Sequence, residues 1–248
     1  MAGADALPRL IGNSAAMRAL RVLIELAGKD RGAVLLHGET GTGKGLVARC
    51  LHEAGRDRTA PFVAVFCPAL LHEPTDFARV LQRAQGGSLM LDEIGDMPLE
   101  DQEAFVTALK KHAATNGVGD VRCVATTRAD LGALTAQGRL RGDLRAQFAG
   151  RQWHLPPLRA HLEDLPELVR AFLESAAALN RLAPAPQFVL SPVAIQVLAS
   201  HRWPGNVREL ENVLVRALVT AAGQSVDRDG IRAALAGGLT AICQAEAS

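Results

Sequence analysis

No tyrosine occurs in the chain, and two tryptophans with seven phenylalanines bring the aromatic share to only 4%. A core must therefore be filled mainly by Leu, Ala and Val, for which a hydrophobic share of 48% over 248 residues is ample. Cysteine is scarce. Cys50, Cys67, Cys123 and Cys243 are scattered and form no CxxC pair, and three sit in apolar contexts, which reads as reduced, buried thiols. The seven histidines lack the spacing of zinc ligands. A net charge of +1 gives no surplus for a broad nucleic-acid-binding face and leaves room only for a local basic patch. No basic stretch followed by an apolar core opens the chain, and no apolar run reaches membrane-spanning length. The setting expected from these absences is soluble, reducing and cytoplasmic, with no membrane partner.

Against that plain background one stretch stands out, His37-Gly38-Glu39-Thr40-Gly41-Thr42-Gly43-Lys44-Gly45. It follows the apolar run Ala33–Leu36 and opens a helical pattern at Leu46, so strand, glycine-rich turn and helix come in the order of a phosphate-binding loop. The glycines let backbone N–H groups turn inward around phosphate oxygens. The helix N-terminus adds unpaired N–H groups and a positive dipole end. Lys44 supplies a cation for the β- and γ-phosphates. The position after the lysine, where a Ser or Thr hydroxyl commonly ligates Mg²⁺, is Gly45.

Around this loop the spacing predicts a helix over 14–27 and strands over 33–37, 61–66, 88–93 and 121–126. Intervening helices are expected over 75–85 and 99–115. Strands alternating with helices imply an α/β fold, a parallel sheet with helices on both faces and ligands at the carboxyl ends of its strands. After Leu155-Pro156-Pro157 the strands stop, and helices are expected over 165–179, 191–200, 206–222 and 227–235. The division read here is an α/β nucleotide-binding subdomain over 1–157, a small helical lid over 158–236 and a disordered tail over 237–248. The apolar strand Ser88–Leu91 ends in Asp92-Glu93, a second ATPase signature. Asp92 would hold Mg²⁺, directly or through water, and Glu93 would activate the attacking water.

Together these stretches resemble the central AAA+ domain of bacterial enhancer-binding proteins, the sigma-54-dependent transcription activators. The resemblance is carried by Leu10–Ser14, Gly38–Lys44, Pro61–Val65, Leu91–Leu99, Leu155–Arg159 and, most distinctively, Trp203-Pro204-Gly205-Asn206-Val207-Arg208-Glu209-Leu210-Glu211-Asn212. It implies an AAA+ P-loop NTPase that uses ATP and Mg²⁺. Nucleotide contacts are carried over to Gly38, Glu39, Thr40, Gly41, Thr42, Gly43, Lys44, Gly45 and Ile11. Arg208 resembles the sensor II arginine of the lid, Thr127 the polar sensor I position, and Arg141 the first of two arginines placed into a neighbour's ATP site. A trans arginine implies a homo-oligomer, or a hetero-oligomer with related AAA+ subunits, with transcription machinery as the wider partner class.

The chain also departs from the family's pattern. The GAFTGA motif is absent, and Leu70–Pro74 leads through one short helix to Gly86-Gly87, so remodelling of sigma-54 through such a loop is not expected. Family members typically carry Glu at Gly45. The asparagine that typically follows strand two is Phe66, the sensor I asparagine is replaced by Arg128, and the second trans arginine falls on Gln147. No receiver domain precedes residue 10 and 25 residues follow Gly223, so sequence-specific DNA binding by this chain is not expected. Two readings stay open: an ATP-hydrolysing transcriptional or assembly regulator, and a nucleotide-gated regulatory scaffold with little or no ATPase activity. A replication or clamp-loading ATPase shares the fold but leaves the Trp203–Asn212 string unexplained.

Overall fold

The computed structural model describes residues 10–55, 59–72, 75–117, 120–179, 190–221 and 227–245. They divide into two compact units, one of residues up to Leu10 and Arg18–Leu155, the other of Ile11–Met17 and the chain from Pro156 onward.

The first unit is built on a parallel five-stranded sheet. Its strands are β1 (Val34–His37), β2 (Phe62–Phe66), β3 (Ser88–Asp92), β4 (Arg122–Thr127) and β5 (Gln152–His154), in the order β2-β3-β4-β1-β5. The runs that form β1 and β3 are largely apolar, and β4 is buried along its whole length although Arg122, Thr126 and Thr127 are polar, because helices cover both faces of the sheet there. The edge strand β2 instead alternates, with Ala64 and Phe66 exposed. β5 is a second edge, three residues long with only Trp153 buried, which is too short for a pattern to be visible in the sequence. The apolar side chains of one face, among them Leu35, Leu89, Leu91 and Ala125, pack on Phe77 and Leu81 of α3 (Phe77–Arg83) and Phe105 of α4 (Leu99–Asn116). The helix α2 (Lys44–Glu53) packs against β1, β3 and β4. Two further short helices, α5 (Leu131–Ala136) and α6 (Gly142–Gln147), follow β4. The helix α1 (Ala15–Gly28) begins in the second unit and ends in the first.

The second unit is helical: α7 (Leu165–Leu179), α8 (Pro192–Ser200), α9 (Asn206–Ala221) and α10 (Arg228–Ala245). Ser191 caps α8, accepting a hydrogen bond from the Ala194 N–H, with Pro192 in the first turn. The last helix continues to Ala245, past the stop expected at Leu235, so the tail expected to be disordered from Gly237 is helical up to that residue. The Trp203–Asn212 string explains itself structurally. Trp203 is fully buried and its indole N–H donates to the Leu198 carbonyl at 2.9 Å. Asn206, also buried, accepts the Leu158 N–H at 2.8 Å through its side-chain oxygen, tying α9 to the segment that enters the unit. Both residues lie at φ 53°, a backbone region that few side chains tolerate, so the turn before α9 needs these contacts to persist.

The same unit holds a buried carboxylate. Asp164, only 3% exposed, accepts the backbone N–H groups of Asn13 and Ser14 at 2.6 and 2.7 Å and faces His161 Nδ1 at 3.1 Å. Gly12 lies at φ 110°, and a Cβ there would meet the Asp164 carboxyl at 2.5 Å. Burial alone would raise the carboxyl's pKa, but the hydrogen bonds from Ser14, Asn13 and His161 outweigh it and hold the group below its ordinary value. A depressed carboxyl contributes stability that is present above the ordinary carboxylate pKa and is lost as pH falls through the folded value. Asp164→Asn should therefore lower stability more at pH 7 than at pH 3. Urea unfolding at the two pH values checks this, and an equal loss at both would remove the ionised carboxylate from the account.

Candidate nucleotide site

The carboxyl ends of β1, β3 and β4 converge on one side of the sheet, and the chain leaves them by turns that carry the chemistry. After β1 the loop stays bonded to the sheet for one more residue, with the Gly38 N–H donating to the Thr127 carbonyl at 3.1 Å. It then curls through Gly41 and Gly43 at φ 79° and 90°, conformations that glycine adopts without strain. A Cβ on Gly38 would lie 3.0 Å from the Leu155 carbonyl oxygen. Gly43 caps α2 with no side chain, so the first N–H groups of that helix are left to an external acceptor. This is the donor set a phosphate requires. Gly45 is different: a Cβ there would meet only Met90 Cε, at 3.8 Å, so packing does not demand glycine.

Lys44, the first residue of α2, is 7% exposed, and its ammonium is held by three oxygens. Nζ donates to the Gly38 carbonyl at 2.8 Å and the Glu39 carbonyl at 3.2 Å, and pairs with Glu93 Oε1 at 3.1 Å. The glycine loop and the acidic strand end are thereby joined in one cluster. Thr42 Oγ1 donates to the Glu39 carbonyl at 2.9 Å and steadies the turn.

β3 ends at Asp92, and Glu93 follows at φ 54°, a left-handed bend for a residue that has no glycine-like freedom. One hydroxyl pins the bend: Thr126 Oγ1 donates to Asp92 Oδ1 and accepts the Glu93 N–H at 3.0 Å. The other oxygen of Glu93, Oε2, accepts the Arg128 N–H at 3.0 Å. Carboxylate and hydroxyl oxygens at a strand end suit a hard cation such as Mg²⁺, which takes one or two carboxylates and completes its shell with phosphate and water.

This arrangement turns Thr127, the residue of the expected sensor role, away from the acids. Thr127 is fully buried, its hydroxyl accepts the Ala129 N–H at 3.0 Å, and it is the preceding residue that reaches the acids. The cause is the strand's alternation: Leu91 stands level with Ala125, so Asp92 and Thr126 end side by side and Thr127 faces away. Thr126 and the Arg128 N–H are thus the residues that sequence reading missed. Counting the register of two adjacent apolar strands would have found the first. Phe66, at the position of the family's asparagine, is 55% exposed.

The arginines are placed less centrally. Arg141, at the N-terminus of α6, pairs with Glu103 at 2.9 Å and Asp143 at 3.1 Å within its own chain. The Asp143 carboxylate, more than that of Glu103, pushes its pKa up and favours the charged form. Gln147 closes the same short helix, its amide donating to the Asp143 carbonyl at 3.4 Å. In the helical unit, Arg208 is exposed in the first turn of α9 and Ile11 packs against that unit's core. The thiols stay out of the chemistry: burial pushes Cys50 up to about 11 and Cys123 to about 12, and pushes Cys67 higher still with help from Asp92. Among the described residues no helix is long and apolar enough to cross a membrane.

Known proteins share this construction. The NtrC transcriptional regulator of Azospirillum brasilense is 41% identical over 92% of this chain and 51% of its own length, and ZraR of Klebsiella oxytoca is 36% identical over 92% and 56%. The chain thus spans about half the length of the curated relatives it matches. Among solved structures, NtrX of Brucella abortus in complex with ATP superposes with a TM-score of 0.77 at 32% identity, covering 90% of this chain and 56% of that one. The RuvB branch-migration motor of Thermotoga maritima, at 20% identity and a TM-score of 0.62, shares the fold. The AAA+ ATPase lid domain matches residues 159–242 and the Sigma-54 interaction domain residues 11–158, more than half of the chain. The chain therefore belongs to the sigma-54 interaction domain family of AAA+ proteins.

Proposed function

We propose that this chain binds ATP on the loop 38–45 and hydrolyses it, acting as a transcriptional or assembly regulator. The observation that carries the reading is the 3.1 Å pair between Lys44 and Glu93, which sets the phosphate-binding cation beside a carboxylate able to polarise water. On ATP binding Lys44 exchanges its Glu93 and loop-carbonyl partners for phosphate oxygens, and Glu93 is released toward the water that attacks the γ-phosphate. Asp92 would hold Mg²⁺, which spreads the charge of the phosphates. Arg141 would act in a neighbouring subunit's site and Arg208 as the lid's phosphate contact, which makes the active form an oligomer, of this chain alone or with related AAA+ subunits. A trans arginine is worth about 10³–10⁵ in rate in related phosphoryl transfers. Residues 67–87, between β2 and β3, carry no GAFTGA string, so the proposed regulation does not run through such a loop.

A second reading, the nucleotide-gated scaffold with little turnover, is favoured by one feature of the same cluster. Both oxygens of Glu93 are already engaged, by Lys44 and by the Arg128 N–H, and the position of the second trans arginine is the uncharged Gln147, with Arg145 two residues earlier in α6.

Lys44→Ala should weaken ATP binding about tenfold to a hundredfold, the loss of a charge-assisted contact. Calorimetric titration checks it, and unchanged affinity would take the phosphate away from this loop. Glu93→Gln should keep ATP affinity and abolish turnover, measured as phosphate release per subunit over a series of protein concentrations. A native rate that climbs with concentration supports hydrolysis completed in trans, whereas tight binding with no turnover at any concentration supports the scaffold. Thr126→Val should cost about 1–3 kcal/mol of stability by stranding the Glu93 N–H and an Asp92 oxygen. Its turnover should fall further than its ATP affinity, and equal stability of the variant in urea would show that the bend stands without the hydroxyl.

A further inference from the structure

At the end of the sheet opposite the glycine loop, where β3 and β4 begin, the first unit holds a partly open cavity of about 220 Å³. Its lining includes Lys29, Arg31, His52, Ser88 and Arg122. Arg122 is the unusual member, a guanidinium in the interior with only 3% of the residue exposed. Its Nη1 donates to the Leu51 carbonyl and its Nη2 to the Ala27 carbonyl, each at 3.0 Å. Those carbonyls lie in the last turns of α2 and α1, and their partial negative charge offsets part of the cation. Nε–H has no acceptor, and among the described residues no carboxylate pairs with this side chain.

The nearest acid does not meet the need. Asp30, also in the lining, is committed to a two-pronged pair with Arg151. Burial lowers the Arg122 pKa; Asp30 works against that, while Arg151 and Arg31 add to it. Lys29 and Arg31 stand exposed at the rim, Arg31 steadied by bonds to the carbonyls of Gly86 and Gly87. Deeper in, His52 and Ser88 are both buried and bonded to each other, Nδ1 to Oγ, at 2.9 Å. Burial lowers the His52 pKa, and the ring, bonded to Ser88 and to the Ala60 backbone, lines the cavity without adding charge near pH 7. A buried cation left without a full counter-charge is destabilising, and an anionic ligand in the cavity would supply the missing charge.

We infer that this cavity is a second anion site, distinct from the nucleotide loop, and that it takes a phosphoryl group between Arg122, Lys29 and Arg31. The group comes either as free phosphate or on a small phosphoester, whose remainder the space beyond one phosphate accommodates. The site rests on no part of the ATP reading.

The test follows backbone amide shifts of the full chain in Lys44→Ala protein, so that the glycine loop is disabled, as inorganic phosphate is added against chloride at equal ionic strength. Saturable shifts at Gly87, Ser88 and Arg122 are expected in both the native chain and Lys44→Ala, and they should vanish in Arg122→Gln. Because Arg122 also ties two helices together, Lys29→Glu serves as the second variant. It alters an exposed side chain, and it should weaken phosphate about tenfold. A repeat with glycerol phosphate separates the two sources, since tighter binding than phosphate identifies an ester and equal or weaker binding identifies the free ion. Shifts confined to residues 38–45 of the native chain, or a Lys29→Glu titration identical to the native one, would overturn the site and leave Arg122 as a structural tie between helix ends.

Discussion

The ammonium of Lys44 is almost wholly withdrawn from water, and the architecture around the glycine loop follows from the need to satisfy it. A buried charge survives only with close oxygen partners, and removing one partner of such a cluster typically costs about 3–5 kcal/mol. Two of the partners are carbonyls of its own loop, which face inward only because Gly41 and Gly43 turn through positive φ. The third is Glu93, which reaches the lysine only because β3 bends to the left just after Asp92. That bend rests on Thr126 at the end of β4, and β4 stands between β1 and β3 in the sheet. Strand order, loop glycines and a single hydroxyl therefore serve one electrostatic requirement.

The helical unit solves a different problem with the same economy. Its most distinctive string reads as a functional signature, yet its tryptophan is an anchor with a satisfied indole and its asparagine holds the chain that enters the unit. Glu209 turns back to accept the Gly205 N–H at 2.7 Å, closing the first turn of α9. Arg208, between these structural residues, is exposed, as are Pro204, Glu211 and Asn212 of the same string.

Most of this plan is legible in the sequence because its signals are local. The phosphate loop, the Asp92-Glu93 strand end and the Ser191-Pro192 helix start are each written within a few neighbouring residues, and the α/β alternation follows from apolar runs of different period. What escaped depends on neighbours across the sheet. β5 has one buried residue and exists because β1 offers it a free edge. Thr126 and Thr127 are indistinguishable side by side in sequence, and only the register with β3 decides which of them faces the acids. The continuation of α10 to Ala245 ran against the glycine pair at 237 and 238, which weakens a helix without forbidding it.

The two engagements of Glu93 bear on what kind of device this is. In the proposed reading, a glutamate held by Lys44 on one oxygen and by a backbone N–H on the other is turned toward the attacking water once a triphosphate on the loop draws the lysine away. Under the proposed function the cation that binds substrate therefore also restrains the base, and turnover is coupled to occupancy within one subunit. At the position where the family resemblance implies an asparagine stands Phe66, whose ring cannot accept or donate to a carboxylate and is 55% exposed. In the proposed reading, restraint falls to Lys44, which is almost wholly buried, and to the backbone N–H of Arg128. Under the proposed function, a switch built this way answers to nucleotide first.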